Sequence, residues 1–209
     1  GEFYFFKTKS KTSKTHDLLT EFIPKILNNY QWKKSMKWGD FDLYWGRPLR
    51  SILAIYNSKI LKFTYGHLNS KDFTIIEENS IEKSKKINSF DEYDKFLSDN
   101  NIVLDQEKRK KRILDKFEKI CKSHRYKQNF KESLINEVNN LVDNPNVLHL
   151  SFHKKYLELP TEIIISTLES HQKYFPLFNE KNELTNNFLV VSNKVDKSNL
   201  IKDGNRRVV

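Results

Sequence analysis

DQEKRKKRILDKFEKICKSHRYKQNFKESLINEVNNLVDNPNVLHLSF, residues 105–152, places two helical repeats and a strand in succession, and that order decides the fold class. Ile113, Phe117, Ile120 and Cys121 recur at the spacing of one helix face, and the Lys and Arg residues fill the other faces. Leu134, Ile135, Val138, Leu141 and Val142 repeat the pattern on one side of a second helix. Asp143-Asn144-Pro145 ends it, because proline lacks an amide donor and disfavours helix in the residue before it. Residues 147–152 then read as a strand, and residues 102–104 as a short strand before the first helix. A basic helical segment at about 105–142 is therefore set within alternating strands and helices.

Working outward, residues 1–6 read as a short aromatic strand. A helix follows over residues 15–28, with Leu18, Leu19, Phe22, Ile23, Ile26 and Leu27 as its buried stripe. Pro24 within that stripe predicts a kink or a late start near residue 23. Residues 41–45, 49–56 and 59–65 read as strands, with Asn57-Ser58 joining the last two as a hairpin. Ser89 followed by Glu92 is a capping box opening a helix to about Leu97. Beyond Pro160, Thr161 is placed to cap a helix carrying Ile163, Ile164, Ile165 and Leu168. Residues 174–178 and 188–192 read as strands joined by a polar loop, 179–187. Mixed order with several hairpins predicts an α+β fold with a largely antiparallel sheet and flanking helices.

The chain has 209 residues and a mass of 25.0 kDa, enough to bury roughly 70% of its unfolded surface. Hydrophobic residues at 37% are too many for a disordered tail, and no apolar run is long enough for a membrane helix. One cysteine, Cys121, excludes an internal disulfide and predicts a reducing, cytoplasmic setting. A start at Gly1, without an initiator methionine, and a stop at Arg206-Arg207-Val208-Val209 predict a piece of something longer. Lys and Arg number 37 against 27 Asp and Glu, a net charge of +10 that points to an anionic partner, nucleic acid first. Residues 101–131 hold 11 Lys and Arg against 4 Asp and Glu, so +7 of the +10 sits on the first helix and the turn after it. Arg109, Lys110, Lys111 and Arg112 are the phosphate-contact candidates. A solvated helix whose lysines serve solubility would share the pattern.

All three tryptophans fall between residues 32 and 45, among Lys33, Lys34, Lys37, Arg47 and Arg50, with Tyr30, Phe41 and Tyr44 nearby. Rings that stack on bases beside cations that meet phosphates suit single-stranded nucleic acid, though ordinary sheet packing uses the same residues. Lys34, Lys37, Trp38, Arg47 and Arg50 form a second candidate surface. His67, in Tyr65-Gly66-His67, and His171, in Ser170-His171-Gln172-Lys173, each end a regular element; with Gln172 and Lys173 they are pocket candidates. The six histidines show no metal-ligand spacing, and five glycines supply no phosphate-binding loop.

Several segments together resemble one family, the beta subunit of the bacterial two-chain glycyl-tRNA synthetase. They are Lys34-Ser35-Met36-Lys37-Trp38-Gly39, Arg47-Pro48-Leu49-Arg50, Thr64-Tyr65-Gly66-His67, LINEVNNLVDNPNVL from Leu134, LPTEIIISTLESHQKYFPLF from Leu159, Val191-Ser192-Asn193 and Gly204-Asn205-Arg206-Arg207-Val208. The first 33 residues carry no distinctive match, and Trp32-Lys33 stands where the family usually has Phe-Pro. The resemblance implies a fragment, residues 1–209, of a beta chain whose C-terminal helical and anticodon-binding domains are absent, with a fold similar to the editing-type domain of the phenylalanyl-tRNA synthetase beta chain. It further implies that an alpha chain joins glycine to ATP with magnesium and completes a hetero-oligomer. This chain would bind glycine tRNA and hold no catalytic residue, cofactor or metal of its own. A structural element docking alpha to the rest of beta, and an editing hydrolase with a pocket at His67 or His171, are the rival roles.

Overall fold

The structure, a computed structural model, describes residues 1–8, 12–37, 39–78, 81–196 and 198–208. It divides into two compact units, Gly1–Phe96 and Leu97–Val209. In the first, helix α1 (Thr15–Asn28) lies where the apolar repeat places it and runs on past Pro24 instead of starting late. Its stripe is not buried, however. Leu18, Phe22 and Ile26 form an exposed row, while Leu19, Ile23 and Leu27 are half-buried. Contacts with strand residues anchor the helix, through a hydrogen bond between His16 Nε2 and the Ile60 carbonyl (3.0 Å) and another from the Tyr65 hydroxyl to the Leu27 carbonyl (3.2 Å). Residues 1–6 are not a strand. The rings of Phe3, Tyr4, Phe5 and Phe6 face solvent, and no ladder among the described residues includes them.

Strands β1 (Met36–Lys37) and β2 (Tyr44–Trp45) pair antiparallel. The stretches expected as two longer strands break into β3 (Ile52–Leu53), β4 (Ile55–Tyr56), β5 (Lys59–Ile60) and β6 (Thr64–Tyr65), and an unanticipated strand, β7 (Leu68–Lys71), follows them. The break falls at Ala54, whose N–H donates to the Lys71 carbonyl (3.1 Å) while its own carbonyl accepts from Leu61 (3.0 Å), so the chain changes partner there. The hairpin at Asn57-Ser58 forms as expected between β4 and β5. Both residues take left-handed φ, 46° and 58°, which a two-residue turn of the right twist requires. Strand β7 pairs antiparallel with β6 and parallel with β3. Gly66, at the β6–β7 turn, has φ +58°, and a Cβ there would sit 3.0 Å from Leu43 Cδ2. An unanticipated hairpin, β8 (Phe73–Glu78) with β9 (Ile81–Lys86), precedes α2 (Phe90–Asp99). The Ser89 cap forms, with the Glu92 N–H donating to Ser89 Oγ (3.2 Å), while the returning Glu92 carboxylate accepts from the Asn88 amide (2.9 Å), one residue before the cap.

The second unit carries α3 (Gln106–His124), α4 (Glu132–Leu141) and β10 (Asn146–Ser151), then a 3₁₀ turn (Lys154–Glu158) and α5 (Thr161–Ser166). A π-turn (Thr167–His171), β11 (Phe175–Phe178), β12 (Leu184–Ser192) and α6 (Leu200–Val208) complete it. β12 lies between β10 and β11, antiparallel to both, with Leu189 opposite His149 on one side and Phe175 on the other. Successive residues of β12 point to opposite faces. Leu189 joins Ile113, Phe117, Cys121, Leu134, Ile135 and Val138 under α3 and α4. Phe188 and Val190 join Leu150, Phe152, Ile164, Leu168 and Tyr174 on the other face. The unit is thus a three-stranded antiparallel sheet between two helical layers, which with the small, mainly antiparallel sheets of the first unit gives the expected α+β class.

Four local expectations are corrected. Residues 102–104 are not a strand; the Val103 amide instead donates to the Asp143 carbonyl (2.8 Å). Leu141 is exposed, because the α4 face buries Leu134, Ile135, Val138 and Asn139 and turns past it. Pro160, not Thr161, occupies the α5 N-cap. β12 begins at Leu184, so the loop is 179–183, closed by Asn179 Oδ1 accepting from the amides of Lys181 (3.0 Å) and Glu183 (2.9 Å).

Arg109 is a further correction. It continues the four-residue buried row of Ile113, Phe117 and Cys121 and is 8% exposed. Its Nε donates to the Asn139 carbonyl (2.9 Å) and its Nη1 to the carbonyls of Val103 (2.7 Å) and Leu104 (3.4 Å). The guanidinium is a clamp joining α3, α4 and the incoming 103–104 segment, not a surface phosphate contact. Arg109→Ala is expected to lower the unfolding free energy by about 2–4 kcal/mol, since charged hydrogen bonds are lost and buried carbonyls left bare. Lys111→Ala, on the exposed face, should change it by less than about 0.5 kcal/mol. Urea denaturation of the two variants checks the contrast.

Candidate nucleic-acid interface

Helix α3 begins at Asp105, whose Oδ1 accepts from the amides of Glu107 (2.8 Å) and Lys108 (3.0 Å). The Lys108 amide bond, chiefly, holds the Asp105 carboxyl below its usual range. With the Arg109 row turned inward, the other cations separate into two sets. Lys110 is paired with Glu132 (3.1 Å), Lys111 lies 3.9 Å from Asp115, and Lys122 is paired with Glu118. Lys108, Arg112 and Lys119 share one strip, at intervals of four and seven residues. Arg112 and Lys119 make no salt bridge among the described residues, and Lys108 interacts with the Asp105 carboxylate at the helix start without forming one. Asp115 lies on the same strip, engaged by Lys111. Half-buried Lys116, at the margin, is held below the ordinary lysine range by burial and by Arg112 beside it. Of the four phosphate candidates, Arg112 keeps that place unpaired, Lys110 and Lys111 keep it as surface ion pairs worth little to stability, and Arg109 leaves it. Lys108 and Lys119 were missed, although their spacing from Arg112 was readable.

The second candidate surface lies in the first unit. Lys37 is bonded to Asp42 (3.3 Å), and Arg50 reaches Glu77 and Glu82 across the β8–β9 hairpin. Lys34 and Arg47 are exposed, with no acidic partner among the described residues. Trp38 lies outside the described residues. The other two tryptophans sit in a chain of rings: Tyr30 to Trp32 (4.7 Å between centroids), Trp32 to Trp45 (4.7 Å) and Trp45 to Tyr65 (5.7 Å).

The pocket candidates are not brought into one pocket. His67, in the turn between β6 and β7, stacks on Phe41 with ring centroids 3.8 Å apart, and its buried Nδ1 has no partner. His171 belongs to the second unit and is exposed at the end of the π-turn. There the Gln172 amide donates to the Thr167 carbonyl (3.2 Å), and Lys173, at φ +59°, pairs with Glu137 (3.0 Å). Two cavities are described in the first unit. One of about 600 Å³ is lined by His16, Asp17, Glu21, Lys59 and Lys62, and one of about 400 Å³ by Ile55, Ile87, Phe90 and Tyr93; neither is lined by His67 or His171. Among the described residues no group of three or more His, Cys, Asp or Glu could hold a metal ion, and no helix is long and apolar enough to cross a membrane.

A family profile described as glycyl-tRNA synthetase beta subunit matches residues 1–209, so the likeness extends through the first 33 residues too. Proteins named glycine-tRNA ligase beta subunit in Rickettsia peacockii (strain Rustic) and Rickettsia canadensis (strain McKiel) are each 36% identical over 208 residues, 99% of this chain and 31% of theirs. The Rickettsia felis protein of the same name is 34% identical over 210 residues, 99% of this chain and 32% of its own. The chain thus spans about a third of the length of the curated relatives it matches.

One further group bears on stability. His149 on β10 lies 4.6 Å, ring to ring, from His124 at the end of α3, and its Nε2 is buried without a partner. Burial first, then His124 and Lys202, lower its pKa from the ordinary 6.5, against an opposing hydrogen-bond interaction with the Asn187 side chain. The unfolded chain therefore takes up the proton before the folded one. Stability is full above that ordinary value and declines as the pH falls through it towards the lower folded value. Denaturation midpoints measured from about pH 8 to about pH 5 should fall with acidity, and His149→Asn should flatten part of that slope.

Proposed function

Because the chain belongs to the glycyl-tRNA synthetase beta-subunit family, we propose that it serves the attachment of glycine to its tRNA by binding and positioning that RNA. On this reading ATP and magnesium act at a catalytic site on a partner alpha chain, within a cytoplasmic hetero-oligomer. The observation that carries the proposal is the strip of Lys108, Arg112 and Lys119, none of which makes a salt bridge among the described residues, set beside the depressed Lys116. Cations outside salt bridges can replace counterions along a phosphate backbone, and these gather on one face of a capped helix. A second reading, docking to the alpha chain or to the rest of beta, is favoured by the exposed row of Leu18, Phe22 and Ile26 on α1. An editing hydrolase would need water held near an ester, and neither described cavity offers it a histidine from the two candidate turns.

The test is fluorescence anisotropy of labelled glycine tRNA with the chain across a salt series. Binding should weaken with salt. The variant Lys108→Ala/Arg112→Ala/Lys119→Ala should bind at least about tenfold more weakly, with a log–log salt slope shallower by about 2–3. A folded triple variant with unchanged affinity and slope would overturn the assignment of this strip. A folded chain with no affinity for the RNA would favour the docking role.

A further inference from the structure

The ring chain of the first unit has one buried end and one open end. Tyr65, at the buried end, is fixed by its hydroxyl bond to the Leu27 carbonyl, and Trp45 packs edge-on against it. Trp32 packs on Trp45 and is 37% exposed, and Tyr30 follows at 56% exposed. Gly46 makes this seating possible. A Cβ there would lie 3.1 Å from Trp32 Cε3, so the bare backbone lets the indole lie closer against the strand end than a side chain would without a small shift. The two outer rings are therefore packed against each other and against Trp45 while part of their surface remains open to solvent.

The charges around the open end differ from those farther along. Lys33 and Lys34 follow Trp32 directly in the chain, and Arg47 follows the glycine on which Trp32 rests; none has an acidic partner among the described residues. Lys37 and Arg50 do have carboxylate partners. The combination is aromatic faces held in advance, with uncommitted cations within a residue or two of them. A base stacks on the first, and the phosphate beside it meets the second. An apolar protein partner would use the rings but would leave three cations facing it without acceptors.

We propose that Tyr30 and Trp32 form a stacking platform for unpaired nucleotides of RNA, with Lys33, Lys34 and Arg47 on the adjoining phosphates. This deepens the tRNA-binding reading and rests on it for the source of the RNA. It also assigns the RNA a contact distinct in kind from the α3 strip, where the proposal rests on cations alone.

The chain is titrated with a single-stranded RNA of about four nucleotides, with the same sequence held in a duplex, and with glycine tRNA, following anisotropy and tryptophan fluorescence. The single strand should bind more tightly than the duplex and quench tryptophan emission. Tyr30→Ala and Trp32→Ala should each weaken it by about tenfold to a hundredfold, and Trp32→Phe should retain most of the affinity because the ring remains. Tyr30 is the more exposed of the two, so its variant gives the answer if Trp32→Ala disturbs the fold. Single-strand affinity unchanged in both alanine variants, with glycine tRNA still bound, overturns the platform alone and leaves the rings as a docking face for a protein. Single-strand binding that depends on the rings, without glycine tRNA binding, keeps the platform and sinks the tRNA reading. No binding of any RNA by the folded chain overturns both.

Discussion

Phe188, Leu189 and Val190 are consecutive on β12, and the first two are 0% exposed, so the strand that carries them must be covered on both faces. Alternation along the strand sends Leu189 one way and its neighbours the other, and no single helical layer can bury both. This constraint places α3 and α4 on one side of the sheet and α5 with the π-turn on the other. It also sets which side of α3 is spent on the core. Ile113, Phe117 and Cys121 turn inward, Arg109 follows them at the same interval, and the strip of Lys108, Arg112 and Lys119 is left outside. The burial of Cys121 pushes its thiol up to about 11, so it contributes packing and no reactivity.

Much of the second unit was legible because its helices and strands are long enough for their period to show. The segments that carry the family resemblance are partly explained by what they hold together. Asn193 accepts from the amides of Asp143 (2.8 Å) and Asn144 (3.0 Å), tying the end of β12 to the turn after α4. Tyr174 donates its hydroxyl to Asn205 Oδ1 (2.6 Å), tying the strand end to α6. Gly66 makes room for Leu43. Each lies in or beside a segment that carries the resemblance, and each is a fastening in the fold. Arg109 was illegible for the opposite reason. In a run of five cations the four-residue spacing from Ile113 is the only local mark of the one that faces inward, and its role depends on carbonyls of Val103, Leu104 and Asn139 arriving from elsewhere.

The first unit was less legible, since its strands are mostly two residues long and find partners by position rather than by pattern. The change of partner at Ala54 and the parallel pairing of β3 with β7 depend on chain segments many residues apart. The aromatic and basic concentration over residues 30–50 was visible, and the structure sorts it. Lys37 and Arg50 are engaged by carboxylates, while Tyr30 and Trp32 stand open beside Lys34 and Arg47. Both units thus show the same selection, in which carboxylate pairing removes some cations and leaves others uncommitted.

That selection is the central claim, and lysine footprinting by mass spectrometry tests it most directly. The chain is lightly acetylated alone and with saturating glycine tRNA, and the reactivity of each lysine is compared. Lys108 and Lys119 should lose reactivity on binding, while Lys155, on the 3₁₀ turn, and Lys181, in the β11–β12 loop, should not change. Protection of Lys155 and Lys181 with Lys108 and Lys119 still fully reactive would contradict the account.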